Sequence, residues 1–140
     1  MTDAFTTRVL SVATGSAETV YDLTADCRQF LREAARQRDG LLNVFVPHAT
    51  AGVAILETGA GSDDDLLSLL RELLPDDRLW RHRHGSVGHG RDHVLPAFIA
   101  PHATVPVIAG RLELGTWQSI VLVDTNRDNP EREVRLSFLS

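Results

Sequence analysis

TVPVIAGRLELGTWQSIVLVDTNRDNPEREVRLSFL, residues 104–139, carries three strand candidates in succession: 104–108, 114–124 and 134–139. Each is apolar, rich in β-branched residues and bounded by glycine, proline or asparagine. Pro106 has no amide donor, so the first is predicted to be an edge strand or irregular at that point. Gly110 begins the turn into the second, and residues 126–130 form a polar turn before the third. At the other end of the chain, residues 5–12 alternate weakly between apolar and polar, and 19–22 follow a turn at Gly15. Strands therefore sit at both ends, and helices are gathered between them.

Two helices are predicted there. Thr24 is placed to cap the first, whose stripe of Cys27, Phe30, Leu31 and Ala34 has helical spacing and ends before Gly40. Residues 41–46, closed by Pro47, and residues 51–56 are short apolar runs that read as buried strands. After the break at residues 59–61, Ser62 is the expected N-cap of the second helix. Asp63, Asp64 and Asp65 fill its first turn, where the helix dipole favours negative charge. Leu66, Leu67, Leu69, Leu70, Leu73 and Leu74 form a broad apolar face, and Pro75 stops it. Residues 76–92 read as a loop, and residues 93–100 as a short helix interrupted by Pro96. No repeat, low-complexity tract or linker divides the chain. The expected class is α+β: one domain over residues 1–140, mainly antiparallel and β-sandwich-like, with two main helices.

Composition narrows the function. Hydrophobic content of 43% and charged content of 24% are ordinary for a globular chain. A formal net charge of −5 argues against nucleic acid or an anionic membrane as partner. No apolar run approaches the ~20 residues needed to span a bilayer, and the N-terminus lacks the apolar core of a secretory signal. The single cysteine, Cys27, fits a reducing cytoplasm. All 14 basic residues are arginine, so lysine Schiff bases and the P-loop lysine are excluded.

The densest chemical signal is WRHRHGSVGHGRDH, residues 80–93, with His82, His84, His89 and His93 in a glycine-punctuated stretch. His48 follows the strand that Pro47 closes. Histidine titrates near neutrality and is the commonest metal ligand. On an extended segment His82 and His84 would share a face, and on a helix His89 and His93 would do so one turn apart. Either pair supplies two ligands to a zinc-like ion, with His48 or a carboxylate completing the shell. The alternative for each is a loop histidine bonded to backbone. Glu57, at the end of an apolar strand, suits orienting a histidine, binding metal or acting as a general base, or is an ordinary strand end. Within the strand candidate 114–124, adjacent Trp117 and Gln118 should face opposite ways. Arg127, Arg132 and Arg135 suit phosphate oxygens, or pair with Asp128, Glu131 and Glu133.

Several of these segments together resemble the YjbQ-like proteins, described as secondary thiamine-phosphate synthases. They are PHATAGVAILE (residues 47–57), WRH (80–82), His93 with its upstream loop, and GRLELGTWQSIVLVD (110–124). The resemblance runs from about residue 6 to residue 138, and its most specific part is Gly115-Thr116-Trp117-Gln118. It implies a presumed active site at His48, Glu57, His82, His93, residues 115–118 and Arg132, on a β-rich fold assembled as a homotrimer with sites near subunit contacts. The chain departs from the pattern at Leu56 and Thr58 beside the glutamate, at Ala60, at His102 and at Asp124. His84 and His89 belong to a branch of the family.

The expectation is a cytoplasmic enzyme of metal-assisted phosphate chemistry. By resemblance it would join hydroxymethylpyrimidine pyrophosphate to thiazole phosphate. His48, His82 and His93 would hold zinc or magnesium, with Glu57 orienting a ligand from behind or acting as general base. Thr116, Trp117, Gln118, Arg132, His84 and His89 would bind the phosphorylated substrate. The alternatives are a metal-dependent hydrolase at the same site and a non-catalytic trimeric metal- or ligand-binding protein.

Overall fold

The structure is a computed structural model and describes residues 3–140. Eight strands run in chain order: β1 (Phe5–Ala13), β2 (Thr19–Asp22), β3 (Gly40–Phe45), β4 (Ala51–Leu56), β5 (His102–Ile108), β6 (Arg111–Leu112), β7 (Ser119–Asp124) and β8 (Glu131–Leu139). Four helices accompany them: α1 (Thr24–Ala34), α2 (Ser62–Leu73) and two single turns, α3 (His89–Asp92) and α4 (Leu95–Phe98). One sheet has the order β1-β8-β3-β5-β6 and the other β2-β7-β4. Every pairing is antiparallel. The α+β class and the two-sheet arrangement agree with the sequence reading.

The run Ser-Ile-Val-Leu-Val-Asp explains the layering. β7 is the centre of its sheet, and alternate side chains enter different cores. Ile120 and Leu122 pack with α1 and the inner face of the larger sheet, among Phe30, Leu31, Leu42, Val44, Leu136 and Phe138. Val121 and Val123 point the other way, into a smaller core with Leu70, Leu74 and Leu95. A strand buried on both faces must be apolar throughout, which is why no alternation shows there. Each such fully buried side chain contributes about 1.5–3 kcal/mol.

Local differences have local causes. The strand predicted over 114–124 begins only at Ser119, because Gly115 and Gln118 close a turn. Gln118 N–H donates to Gly115 O (3.1 Å), and Gly115 N–H donates to Gln118 Oε1 (2.8 Å). Thr24 does not cap α1. Its Oγ1 accepts the Ile120 N–H, while Asp22 Oδ1 takes the Thr24 N–H. That exchange pins the start of α1 to β7. Ser62 is the first helical residue of α2, after Gly61 at φ 100°, and makes no side-chain cap. The α2 face is narrower than predicted, since Leu69 and Leu73 are exposed and Leu67, Leu70 and Leu74 are buried. β3 is not buried throughout, for Leu41 and Phe45 look outward.

Both prolines are tolerated for geometric reasons. Pro96 lies in the first turn of α4, where a missing amide costs no helical bond, so it begins that helix and does not interrupt one. The Pro106 carbonyl accepts the Glu113 N–H (3.0 Å), beyond the end of β6. A strand residue's N–H and C=O point to the same side, so the missing donor removes no bond to β3. Cys27 is buried in the main core, and burial, then Asp26 and Asp22, push its thiol up to about 12.

Candidate metal centre and adjoining cleft

Beyond Asp124 the chain leaves β7 but stays buried through Thr125 and Asn126. Polar groups this deep must be paired, and here they are paired with one another. Arg132, from β8, donates Nε to Asp124 Oδ2 (2.6 Å) and one terminal nitrogen to both Asp124 Oδ1 (3.0 Å) and Thr50 Oγ1 (2.8 Å). Asn126 donates its amide to Thr50 Oγ1 (3.0 Å), and its own Oδ1 accepts the Asp128 N–H (2.8 Å). Asp128 Oδ2 in turn accepts the Ser86 N–H (2.9 Å), and Thr125 Oγ1 donates to Asp92 Oδ1 (2.6 Å). These bonds fasten the histidine stretch to the end of β7.

On that platform four imidazoles meet. The His82 ring centroid is 3.9 Å from that of His84, 4.1 Å from His93 and 5.4 Å from His89. His89 and His93, one helical turn apart on α3 and its end, bring their Nε2 atoms to 3.1 Å. One ligand atom each from His82, His89 and His93 lies within 4.8 Å of the others. Zinc–nitrogen bonds of ~2.0–2.1 Å set tetrahedral ligand atoms about 3.3 Å apart, so a small closure of the three rings would complete a site. His89 Nδ1, on the other side of its ring, lies 3.1 Å from Asp128 Oδ2 and 3.6 Å from Asp92 Oδ2. Those carboxylates attract it but lie out of line for a hydrogen bond. Among the described residues, the Nδ1 atoms of His82 and His89 are two of the few buried polar atoms without a hydrogen-bond partner. The donor set and its carboxylate backing fit a zinc-class ion.

Two of the four rings are held below the usual histidine range. Burial first, then His84 and His89, lower the pKa of His82, and burial, then His82, His89 and His84, lower that of His93. Burial and Arg132 lower His48 against the opposing pull of Glu133 and Asp124. A base with a lowered folded pKa binds fewer protons folded than unfolded. Its contribution to stability is therefore present above the ordinary histidine value of ~6.5 and is lost as pH falls below it. The metal-free melting temperature should fall between pH 7.5 and 5.5, and a His82→Gln/His93→Gln variant should flatten that slope. Thermal unfolding against pH measures it.

The rings border an open cleft of about 450 Å3 lined by His48, Thr50, His84, His89, His93 and Asn126, among others. The metal set expected from the sequence is His48, His82 and His93, and the structure brings only the last two of these together. His48 is on the cleft but outside the group, and its Nε2 accepts the Glu133 N–H (2.9 Å). His89 stands in its place. Arg132 reaches the cleft wall, yet at 2% exposure its fork is given to Asp124 and Thr50, not held free for phosphate. The signal for that pair was two opposite charges eight residues apart across one turn.

The remaining predicted residues lie elsewhere. Ser119 pairs with Leu56, and Asp124 with Ala51, so the two ends of β7 are five residues apart, about 17 Å. Glu57, half-buried, and Thr116, Trp117 and Gln118 belong to the Ser119 end, whereas the histidines belong to the Asp124 end. Trp117 is 73% exposed in its turn. Within one chain these groups do not share a site. His102 is on the outer face of the larger sheet, opposite Phe45.

Residues 8–140 match the family described as UPF0047 protein YjbQ-like. The chain belongs to the UPF0047 YjbQ-like family. A UPF0047 protein of Mycobacterium tuberculosis is 62% identical over 133 residues, covering 95% of this chain and 97% of that protein. One from Methanothermobacter thermautotrophicus is 32% identical, covering 94% and 90%. Among solved structures, a YbjQ-like protein of unknown function from Sulfolobus solfataricus superposes with a TM-score of 0.90 at 26% identity, over 97% of both chains. A hypothetical protein from Aeropyrum pernix gives 0.85 at 34% identity, over 96% and 98%.

These findings support the UPF0047 fold and correct the activity. The matched family and these relatives are described only as UPF0047 or YjbQ-like proteins, one of them as of unknown function, and they do not support the expected thiamine-phosphate synthase activity. Within one chain the GTWQ turn expected to hold the heterocycle and the histidines expected to hold the metal are at opposite ends of β7. No helix among the described residues is long and apolar enough to cross a membrane.

Proposed function

We propose that this UPF0047 chain is a metal-binding protein in which His82, His89 and His93 hold one divalent ion of the zinc class beside a small-molecule cleft. The observation that carries the reading is the convergence of three imidazole ligand atoms within 4.8 Å, with His89 backed by Asp128. Three protein ligands leave a fourth position open, as catalytic and ligand-exchanging zinc sites do. The ion would supply Lewis acidity to a ligand in the cleft. The chain's own groups do the rest. Asp128, fixed by Ser86 and Asn126, places a carboxylate 3.1 Å from His89 Nδ1 and would offset the positive charge of the site. His48, with Nε2 engaged as an acceptor, keeps its ring proton on Nδ1 and remains neutral, which leaves one donor for a bound ligand. His84, exposed beside the other rings, stands at the mouth of the cleft. Titration with zinc tests this: one ion per chain is expected, and loss of binding when His89 or His93 becomes alanine.

Self-association, and the trimer that the family resemblance implies, is favoured by a separate observation. The outer face of the larger sheet is covered by none of the described residues. Across β1, β8, β3 and β5 one row reads Phe5, Leu139, Leu41 and Pro106, and the next Thr7, Ser137, Asn43 and Thr104. A third holds Val9, Arg135, Phe45 and His102. An exposed face with only Arg135 and His102 as ionisable groups among these three rows is suited to a second copy of itself. Light scattering should give three times the 15.4 kDa of one chain. Phe45→Glu with Leu41→Glu should reduce it to one, whereas a monomeric wild type would remove this proposal.

A further inference from the structure

A second cleft, of about 480 Å3, lies between α1 and the hairpin that joins β5 to β6, and shares no lining residue with the histidine cleft. Its construction begins with helical spacing. Arg28, Leu31 and Arg32 occupy i, i+3 and i+4 on α1 and therefore share a face. Leu31 is buried, and Leu112 and Leu114 pack against the same core, so the floor is apolar. Arg28 and Arg32 rise on one side of it and Arg111 on the other, with Glu113 as the single acid.

The far wall is held in place before any ligand arrives. Gly110 has φ +76°, and a Cβ there would lie 1.7 Å from the Arg36 carbonyl oxygen, so only glycine lets the hairpin tip sit against the end of α1. Gly110 N–H donates to Arg38 O (3.0 Å), and Ala109 N–H donates to Asp39 Oδ1 (2.8 Å). A cleft of this size with an apolar floor and a few charged groups has the proportions of a small-ligand site.

The charges are unusual for this chain. Its net charge is −5, yet this cleft carries three arginines against one glutamate. Among the described residues none of Arg28, Arg32 and Arg111 joins an ion pair, whereas Arg8, Arg71, Arg91 and Arg132 all do. A local excess of two positive charges matches a phosphate monoester, which carries about −1.5 to −2 near neutrality. Guanidinium forks bind such oxygens in pairs.

We propose that the cleft between α1 and the β5–β6 hairpin binds a small amphipathic anion, a phosphate monoester whose compact apolar group rests on Leu31, Leu112 and Leu114. The site is independent of the histidine centre and does not rest on the reading given to it.

Calorimetric titration of the full chain with phenyl phosphate tests the proposal, with inorganic phosphate as the arm that lacks the apolar group. Saturable binding of phenyl phosphate is expected, with inorganic phosphate weaker by about tenfold, the worth of burying a small apolar group. Arg32→Ala with Arg111→Ala should weaken phenyl phosphate by about tenfold or more while leaving the melting temperature unchanged, since both side chains are exposed and unpaired. His93→Ala should leave the affinity unchanged. Three outcomes overturn the proposal: no saturable binding at ~10 mM phenyl phosphate, where any useful site would be filled; equal affinity in the double variant; or loss of binding in His93→Ala. Equal affinity for the two ligands would overturn the apolar half of it.

Discussion

Asp124→Asn lowers the melting temperature by about 9–20 °C, the largest effect expected of any single conservative replacement in this chain. Asp124 and Arg132 are both essentially excluded from water and joined by two hydrogen bonds. Removing the charge of one partner leaves the other buried without compensation, which costs about 3–5 kcal/mol. For a domain of this size each kcal/mol is worth roughly 3–4 °C. Asp124 Oδ1 also takes the Asn126 N–H, so the turn that carries Asp128 loosens with it. Replacing both members by apolar residues of similar size, Asp124→Leu with Arg132→Met, should recover most of the loss, because no charge is left stranded. Thermal unfolding of the three variants checks this. A drop under ~3 °C for Asp124→Asn would show that water reaches the pair.

Zinc at a hundredfold excess over its dissociation constant raises the melting temperature of the wild type by about 8–11 °C. The linkage is simple: an ion bound only by the folded chain adds about 2.7 kcal/mol at that excess, at roughly 3–4 °C for each. His89→Ala should abolish the shift, as its ring offers one of the three converging ligand atoms. Asp128→Asn should reduce affinity, because it removes a negative charge 3.1 Å from the His89 ring. Because protons compete for the same nitrogens, the shift should shrink as pH falls through the histidine range. The comparison is made on the zinc-dependent shift within each variant, so any loss of stability from the substitution itself does not enter.

Much of this was legible in the sequence, and the misses have physical reasons. The run at residues 119–124 announced a strand, and the histidine density announced a site, since neither pattern has a simpler local cause. The GTWQ turn was misread as strand because threonine and tryptophan favour extended structure. Its one contrary signal was a glycine with a glutamine three residues on, able to close the turn through its side chain. Arg132 was read as a free phosphate binder because nothing local shows that β7 and β8 bury it against Asp124. His48 was grouped with His82 and His93 on resemblance. In the structure His89 converges with His82 and His93, because the single helical turn at α3 brings it beside His93 and the 76–92 stretch folds back on it. Those are contacts between distant parts of the chain, and periodicity carries no record of them.

Equilibrium dialysis against zinc, with metal content measured per chain, tests the centre most directly when His89→Ala and His48→Ala are compared side by side. The geometry predicts one ion per chain in the wild type and in His48→Ala, and none in His89→Ala at the same free zinc. An ion retained by His89→Ala, or lost from His48→Ala, would contradict it.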